Sequence, residues 1–288
     1  QQLMGYKLEI ASNKAGNLQW RTLQEISLKA EYNNQIVDVL SLDPALFANG
    51  AYQLRLSAWD LSGRLEEIYA NVEINSSQKQ LNLATSVDVT FTLGSQNIDI
   101  VRYMTADNTQ GDFSNWLTSL FDTQLTHNQR LTTSIGTVAA WQTGAQVWLQ
   151  IPQGLTGLEA QQMQYLNFRL DLQRTYANGA NTGISQLTPL FSSDQGWTLT
   201  AHNTEQRMVE NLIQQGQSLY SESTGLAWVP SYFVLTSPQG VRYLLDQSGQ
   251  VMSVEFSNGE KWLVGQNNIV LTDGQTHQFI EFKRDTQG

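Results

Sequence analysis

The residues able to do chemistry in this chain are few and poorly assembled. His127, His202 and His277 are widely and evenly spaced along the sequence, which permits a three-ligand metal site without pointing to one. No H-E-x-x-H pair, no G-x-S-x-G nucleophile elbow and no phosphate-binding P-loop occurs. Asp107, Asp112 and Asp122 lie close together with Trp116 among them. Two carboxyl groups about 5–10 Å apart around a sugar would make a glycosidase, but turns and strand edges account for aspartates in such a cluster. The calcium-loop pattern fails, because Thr109 and Gly111 fall where that loop needs its oxygen ligands. No catalytic, cofactor-binding or metal-ligating residue is assigned, and the expectation is a chain that is not an enzyme and needs no cofactor.

Aromatic residues offer a second kind of chemistry. Eight tryptophans and ten tyrosines could supply faces that pack on the apolar patches of a sugar, and Trp116, Trp141 and Trp148 are the candidates for ligand stacking. Their scatter favours closure of a β-core instead. Cysteine is absent, which removes disulfides, thiolate metal sites and a cysteine nucleophile. A net charge of −10 gives no electrostatic grip on phosphate backbones, so nucleic acid is not an expected partner. No run reaches the roughly 18 apolar residues of a membrane helix, and no membrane span is expected. Gln1 opens almost directly into strand-like sequence without a signal peptide, and the chain reads as a fragment or a processed product.

The elements that must position these residues read as strands. Tyr6 to Ile10, Ile36 to Leu40, Tyr52 to Ala58 and Ile68 to Ile74 alternate between turn-forming clusters. With weaker runs around Trp20 and Leu28 they predict about six or seven strands, the count of an immunoglobulin- or fibronectin-like sandwich over residues 1–75. Gly50 and Tyr52 ahead of Leu54 and Leu56 predict a tyrosine corner, a hydroxyl bonded back to upstream backbone. Asp60 and Gly63 mark the next turn. The polar stretch Asn75 to Gln80 predicts a boundary, with a β-rich unit over 76–288.

Beyond the boundary, Val87 to Leu93 and Ile98 to Tyr103 flank a turn at Gly94 to Asn97. Leu158 to Leu170 fits a helical stripe and a strand equally well. Asn203 to Gln206 reads as a capping box ahead of Met208, Val209, Leu212 and Ile213, stopped by Gly216, which predicts one short helix near 204–215. From Pro230 onward, short apolar runs are punctuated by turn residues that include Asp246, Gly249, Asn258 and Gly259, a series of hairpins. Alternation sets Val251, Ser253 and Glu255 on one face and Met252, Val254 and Phe256 on the other.

Three blocks of this sequence, in order, resemble the RHS/YD-repeat family. The first holds Leu42, Asp43, Pro44, Leu46, Asn49, Gly50, Tyr52, Leu54, Arg55, Leu56, Ala58, Asp60, Gly63 and Arg64. The second holds Arg102, Tyr103, Gly111, Asp112, Phe113, Trp116, Asp122 and Leu125, with Ser114 and Asn115 where the family often has glycine. The third holds Phe233, Leu235, Thr236, Pro238, Gly240, Tyr243, Leu245, Asp246, Gly249, Ser253, Val254, Asn258 and Gly259, then Ile269 and Arg284 to Gly288. The resemblance implies an all-β chain: an immunoglobulin-like sandwich followed by a large antiparallel sheet that starts a shell. It implies a structural, non-catalytic segment of a secreted or surface protein, one that encloses a toxin or serves cell contact. Its partners would be the rest of its own shell or neighbouring copies through strand edges. The self-cleaving D-P-x-G site of toxin-releasing members has no counterpart here. A self-contained adhesin module or fibre subunit, binding a surface glycan or a protein receptor, is the alternative.

Overall fold

The computed structural model describes residues 3–14, 17–27, 40–76, 82–105, 116–129, 138–152, 163–176, 185–203, 210–272 and 277–283. β-Strands dominate and no α-helix occurs among the described residues, so the all-β class is as expected from period-two alternation and closely spaced turn residues.

Strands β1 (Leu3–Lys14), β2 (Asn17–Ser27), β3 (Gly50–Asp60) and β4 (Leu65–Ile74) form one antiparallel sheet in the order β2-β1-β3-β4. Ile10, Phe47 and Ile74 make a small core, with Leu23, Leu42, Tyr52 and Leu54 packed against it. Glu9 is only 4% exposed and is held by Lys7 at 2.8 Å and Arg55 at 2.6 Å. Burial alone would push its carboxyl up, but the hydrogen bonds and charges of Lys7 and Arg55 outweigh burial and hold it below the usual carboxylate range. The Arg55 guanidinium also lies 4.3 Å from the Trp20 ring centroid, so the pair is packed as well as charged. Of the expected strands, Leu28 and all of Ile36 to Leu40 except Leu40 lie outside the described residues, and Leu40 is not in a strand. The described part of residues 1–75 is therefore a single sheet, and a facing second sheet is not among the described residues.

The tyrosine corner forms as expected: the Tyr52 hydroxyl donates to the Ala48 carbonyl at 2.8 Å. Asp43 caps the 3-10 turn at Pro44–Leu46 through Ala45 N–H at 2.9 Å. Tyr52→Phe is expected to lower unfolding free energy by about 1 kcal/mol without altering far-UV circular dichroism. Urea titration checks it, and a loss above twice that value would assign the hydroxyl more than one bond.

The second part comprises β5 (Asn82–Leu93), β6 (Gln96–Thr105), β7 (Trp116–Thr118), β8 (Gln124–His127), β9 (Gln146–Pro152), β10 (Met163–Tyr176) and β11 (Ser185–Phe191). It continues with β12 (Thr198–His202), β13 (Leu212–Gln215), β14 (Ser218–Ser221), β15 (Tyr232–Thr236), β16 (Arg242–Asp246), β17 (Val251–Glu255), β18 (Lys261–Val264), β19 (Asn268–Thr272) and β20 (His277–Glu281). Among the described residues the large antiparallel sheet expected after residue 76 is divided into four antiparallel sheets: β5-β6-β7, β11-β10-β9-β8, the hairpin β13-β14, and a seven-stranded sheet β12-β15-β16-β17-β18-β19-β20. All four contribute to one apolar cluster that includes Leu93, Phe168, Leu219, Phe233 and Trp262. Each sheet has one apolar face to bury, and facing one another is how several sheets do so at once.

Two local expectations change and one open reading is settled. The helix near 204–215 is not formed where it is described: Leu212–Gln215 is strand, paired with Ser218–Ser221 through a two-residue loop that starts at Gly216. Residues 204–209 lie outside the described residues. Gly216 has φ +63°, a conformation that suits a helix stop and a tight hairpin alike. Burial of Leu212 and Leu219 in the common core decides for the hairpin. The ambiguous run ending at Leu170 is strand from Met163, with Leu166, Phe168 and Leu170 alternating inward. Finally, the register shifts between Leu244 and Leu245 opposite β17, so that Leu244 pairs Ser253 and Leu245 pairs Val251. This bulge carries Val251 into the same core as Val254 and breaks the strict alternation.

Candidate functional site

One loop closes four hairpins. At Asp60, Ser237, Asp246 and Phe256 the first residue donates its N–H to the carbonyl four residues on and accepts the N–H of a glycine three residues on. The glycines, Gly63, Gly240, Gly249 and Gly259, have φ between 75° and 90°, as the last position of a three-residue bulged hairpin loop requires. Asp60 Oδ1 accepts the amides of Ser62 and Arg64 at 2.8 and 3.0 Å, and Asp246 Oδ1 those of Ser248 and Gln250 at 2.8 and 2.9 Å. The Arg64 amide, helped by the Ser62 amide and the Arg64 guanidinium, holds the Asp60 carboxyl below its ordinary value. These carboxylates are spent on backbone donors and are placed for folding rather than proton transfer.

The turns also lock sheets together. Glu260 accepts Ser95 N–H at 2.8 Å and Ser95 Oγ–H at 2.7 Å, while Asn258 Nδ2 donates to Ser95 Oγ at 2.8 Å. Burial would raise the Glu260 carboxyl, and its bonds from Ser95 and Asn258 lower it overall. The sequence marked both turns but gave no sign that they meet. Ser95→Ala and Glu260→Gln are expected to cost about 1 kcal/mol each and to be non-additive by a similar amount. A double-mutant cycle in urea checks this, and full additivity would dissolve the lock.

The ligand-stacking candidates part company. Trp141 is 2% and Trp148 1% exposed, so protein already covers both rings and neither face is offered to a ligand. Trp116 is half-buried, with the Arg102 guanidinium 5.1 Å from its ring centroid. Gly50 is required by proximity: a Cβ there would meet Thr126 Oγ1 at 2.8 Å. Its neighbourhood joins the first sheet to the second part, as does Asn128 Nδ2 donating to Glu73 Oε1 at 3.1 Å.

Among the described residues, histidines and acids are not brought together. His127 packs 4.9 Å from Trp141, centroid to centroid, His202 Nε2 lies 2.9 Å from Thr200 Oγ1, and the His277 side chain lies outside the described residues. Asp122 accepts Thr118 N–H at 2.6 Å, and Asp107 and Asp112 lie outside the described residues. Among the described residues no group of three or more histidine, cysteine or acidic side chains could hold a metal ion, and no helix is long and apolar enough to cross a membrane.

Burial pushes the His127 imidazole down to about 4, and its Nδ1 accepts Gln129 N–H at 3.2 Å, which places the remaining ring proton on Nε2. The unfolded chain binds a proton near pH 6.5 that the folded chain refuses until about pH 4. Stability is therefore full above pH 6.5 and falls on acidification across that window, by at most about 1.4 kcal/mol per pH unit. His127→Gln is expected to flatten the dependence of the thermal midpoint between pH 6.5 and 4. An unchanged slope would assign the acid sensitivity to another group.

No family model, curated protein or solved structure matches the chain.

Proposed function

We propose that this chain is a structural, non-catalytic segment of a large secreted or surface RHS/YD-repeat protein, part of a β-shell that encloses a toxin or mediates cell contact. The reading is carried by the run of hairpins from β15 to β18, each closed by the same glycine-terminated loop, in the stretch whose residues resemble the approach to such an array. A meander of this kind extends by adding hairpins, since each strand needs only its neighbour's backbone groups. Its mechanism is physical: ladders close around a volume, and outer strands take partners from the rest of the shell or from neighbouring copies. Among the described residues β4 and β20 are outermost in their sheets, with Ile68 65% and Phe279 68% exposed.

Light scattering tests the reading. The chain of 288 residues is expected to associate through these edges, and the double variant Ile68→Lys/Phe279→Lys to shift toward monomer, because an edge lysine opposes strand addition. A monodisperse monomer of the unaltered chain would sink the reading. A second reading, an extracellular carbohydrate- or receptor-binding module or fibre subunit, is favoured by one observation: a cleft beside β17 and β18 with no charged side chain among its described lining residues.

A further inference from the structure

We infer that this cleft binds a neutral, hydroxyl-rich ligand, one or two units of an uncharged glycan. It is an open cleft of about 470 Å³, within the roughly 300–1,000 Å³ usual for small-ligand sites. Although the chain carries ten net negative charges, no acidic or basic side chain is among the described residues that line the cleft. A phosphate, a carboxylate or a cation would find no countercharge among these described residues. Its described lining includes three residues with primary amides, Gln250, Gln266 and Asn267, and the apolar Leu120, Phe121 and Val251. A carboxamide both donates and accepts, which is what vicinal hydroxyls demand of a partner. The apolar lining residues suit the C–H face of a pyranose.

The walls are fixed in advance. Leu120 has φ 69°, a left-handed conformation that costs a branched residue stability and persists only where its surroundings enforce it. The enforcing bonds are Ser119 N–H to Val101 O at 2.9 Å, Ser119 Oγ–H to Asp99 O at 3.0 Å and Thr118 N–H to the Asp122 carboxylate at 2.6 Å. The Phe121 ring is set edge-on against Phe282, 5.3 Å between centroids. The opposite wall is tied by Gly265 N–H to Asn268 O at 2.8 Å and Phe282 N–H to Asn267 O at 2.7 Å. Leu120 is itself 4% exposed and part of the common core, so the packing and bonds that hold its left-handed backbone also fix this wall of the cleft before any ligand arrives.

The inference rests on the second functional reading and not on the shell reading. The test is a microarray of neutral and charged glycans probed with the full chain, followed by calorimetry on the best neutral glycan. Binding confined to neutral glycans is expected, weakened about tenfold or more by Gln250→Ala/Asn267→Ala with an unchanged thermal midpoint, and untouched by Trp116→Ala. Competition by the free terminal monosaccharide would place recognition in one sugar, and competition only by the oligosaccharide in two. A flat array, binding that needs charged glycans, or a double variant that binds within twofold of the unaltered chain would each overturn the site. A flat array together with edge-mediated association would leave the shell reading standing.

Discussion

Trp141→Ala is expected to lower unfolding free energy by about 3–5 kcal/mol, the largest loss from any one side chain here. The ring lies edge-on to Trp228 at 6.1 Å and tilted against Phe233 at 5.9 Å and His127 at 4.9 Å. These neighbours come from different sheets and from the run after β14, so no single segment can slide in to fill the space. The backbone of Trp141 also donates to Trp228 O at 3.0 Å and accepts from Leu219 N–H at 2.9 Å, which tethers the β13-β14 hairpin beside the same ring. Collapse is thereby restricted, and the cavity adds to the lost transfer energy. Trp141→Phe, which keeps an aromatic ring in place, is expected to cost about half as much. Guanidinium titration followed by circular dichroism measures both. Water admitted by the alanine variant should also release His127 toward its ordinary pKa and narrow the acid-sensitive window, a readout that mere loss of packing elsewhere would not move. A cost below about 1.5 kcal/mol, or an unchanged pH window, would mean that Trp141 is not the keystone of this core.

Local chemistry was legible in the sequence, while long-range pairing was not. The corner at Tyr52 and the loops at Asp60, Asp246 and Asn258 follow from residue types whose side chains bond backbone within a few positions, and such bonds depend on nothing distant. The helix near 204–215 misled because a glycine of positive φ ends a helix and turns a hairpin equally well, and only burial of Leu212 beside Leu219 discriminates. Trp141 and Trp148 were open to a ligand role on residue type alone, since burial is a property of the assembled sheets. The contact of Glu260 with Ser95 carries no sequence signature, because the two lie 165 residues apart, and the left-handed Leu120 depends on Ser119 bonding Val101 and Asp99 of another strand as well as on the local Asp122. The candidate cleft shares that origin: its amides are ordinary loop residues until β17, β18 and the turn after β7 converge.

Gly249→Ala is expected to cost about 2–4 kcal/mol, whereas Gly259→Ala, in the same loop type one strand on, should cost about 1 kcal/mol. Both glycines have φ +90°, so the backbone penalty for a Cβ is shared. They differ in what the Cβ would meet. At Gly259 nothing lies within 4 Å, whereas at Gly249 the Leu125 amide nitrogen lies at 2.4 Å and the Gln124 carbonyl carbon at 2.8 Å. Those are main-chain atoms of β8 and cannot swing aside as a side chain would. The alanine must therefore push the loop off β8 and stretch the Leu125 N–H to Ser248 O bond, now 3.0 Å. Paired urea titrations give the difference between the two variants, which isolates the contact from the shared strain. Hydrogen exchange at Leu125 should quicken in Gly249→Ala alone. Equal losses with unchanged exchange would show that the loop yields freely, and that the seven-stranded sheet is not pinned to β8 at this point. An unequal pair would mean that glycine serves this loop twice over, once for its torsion and once because another sheet sits where a side chain would be.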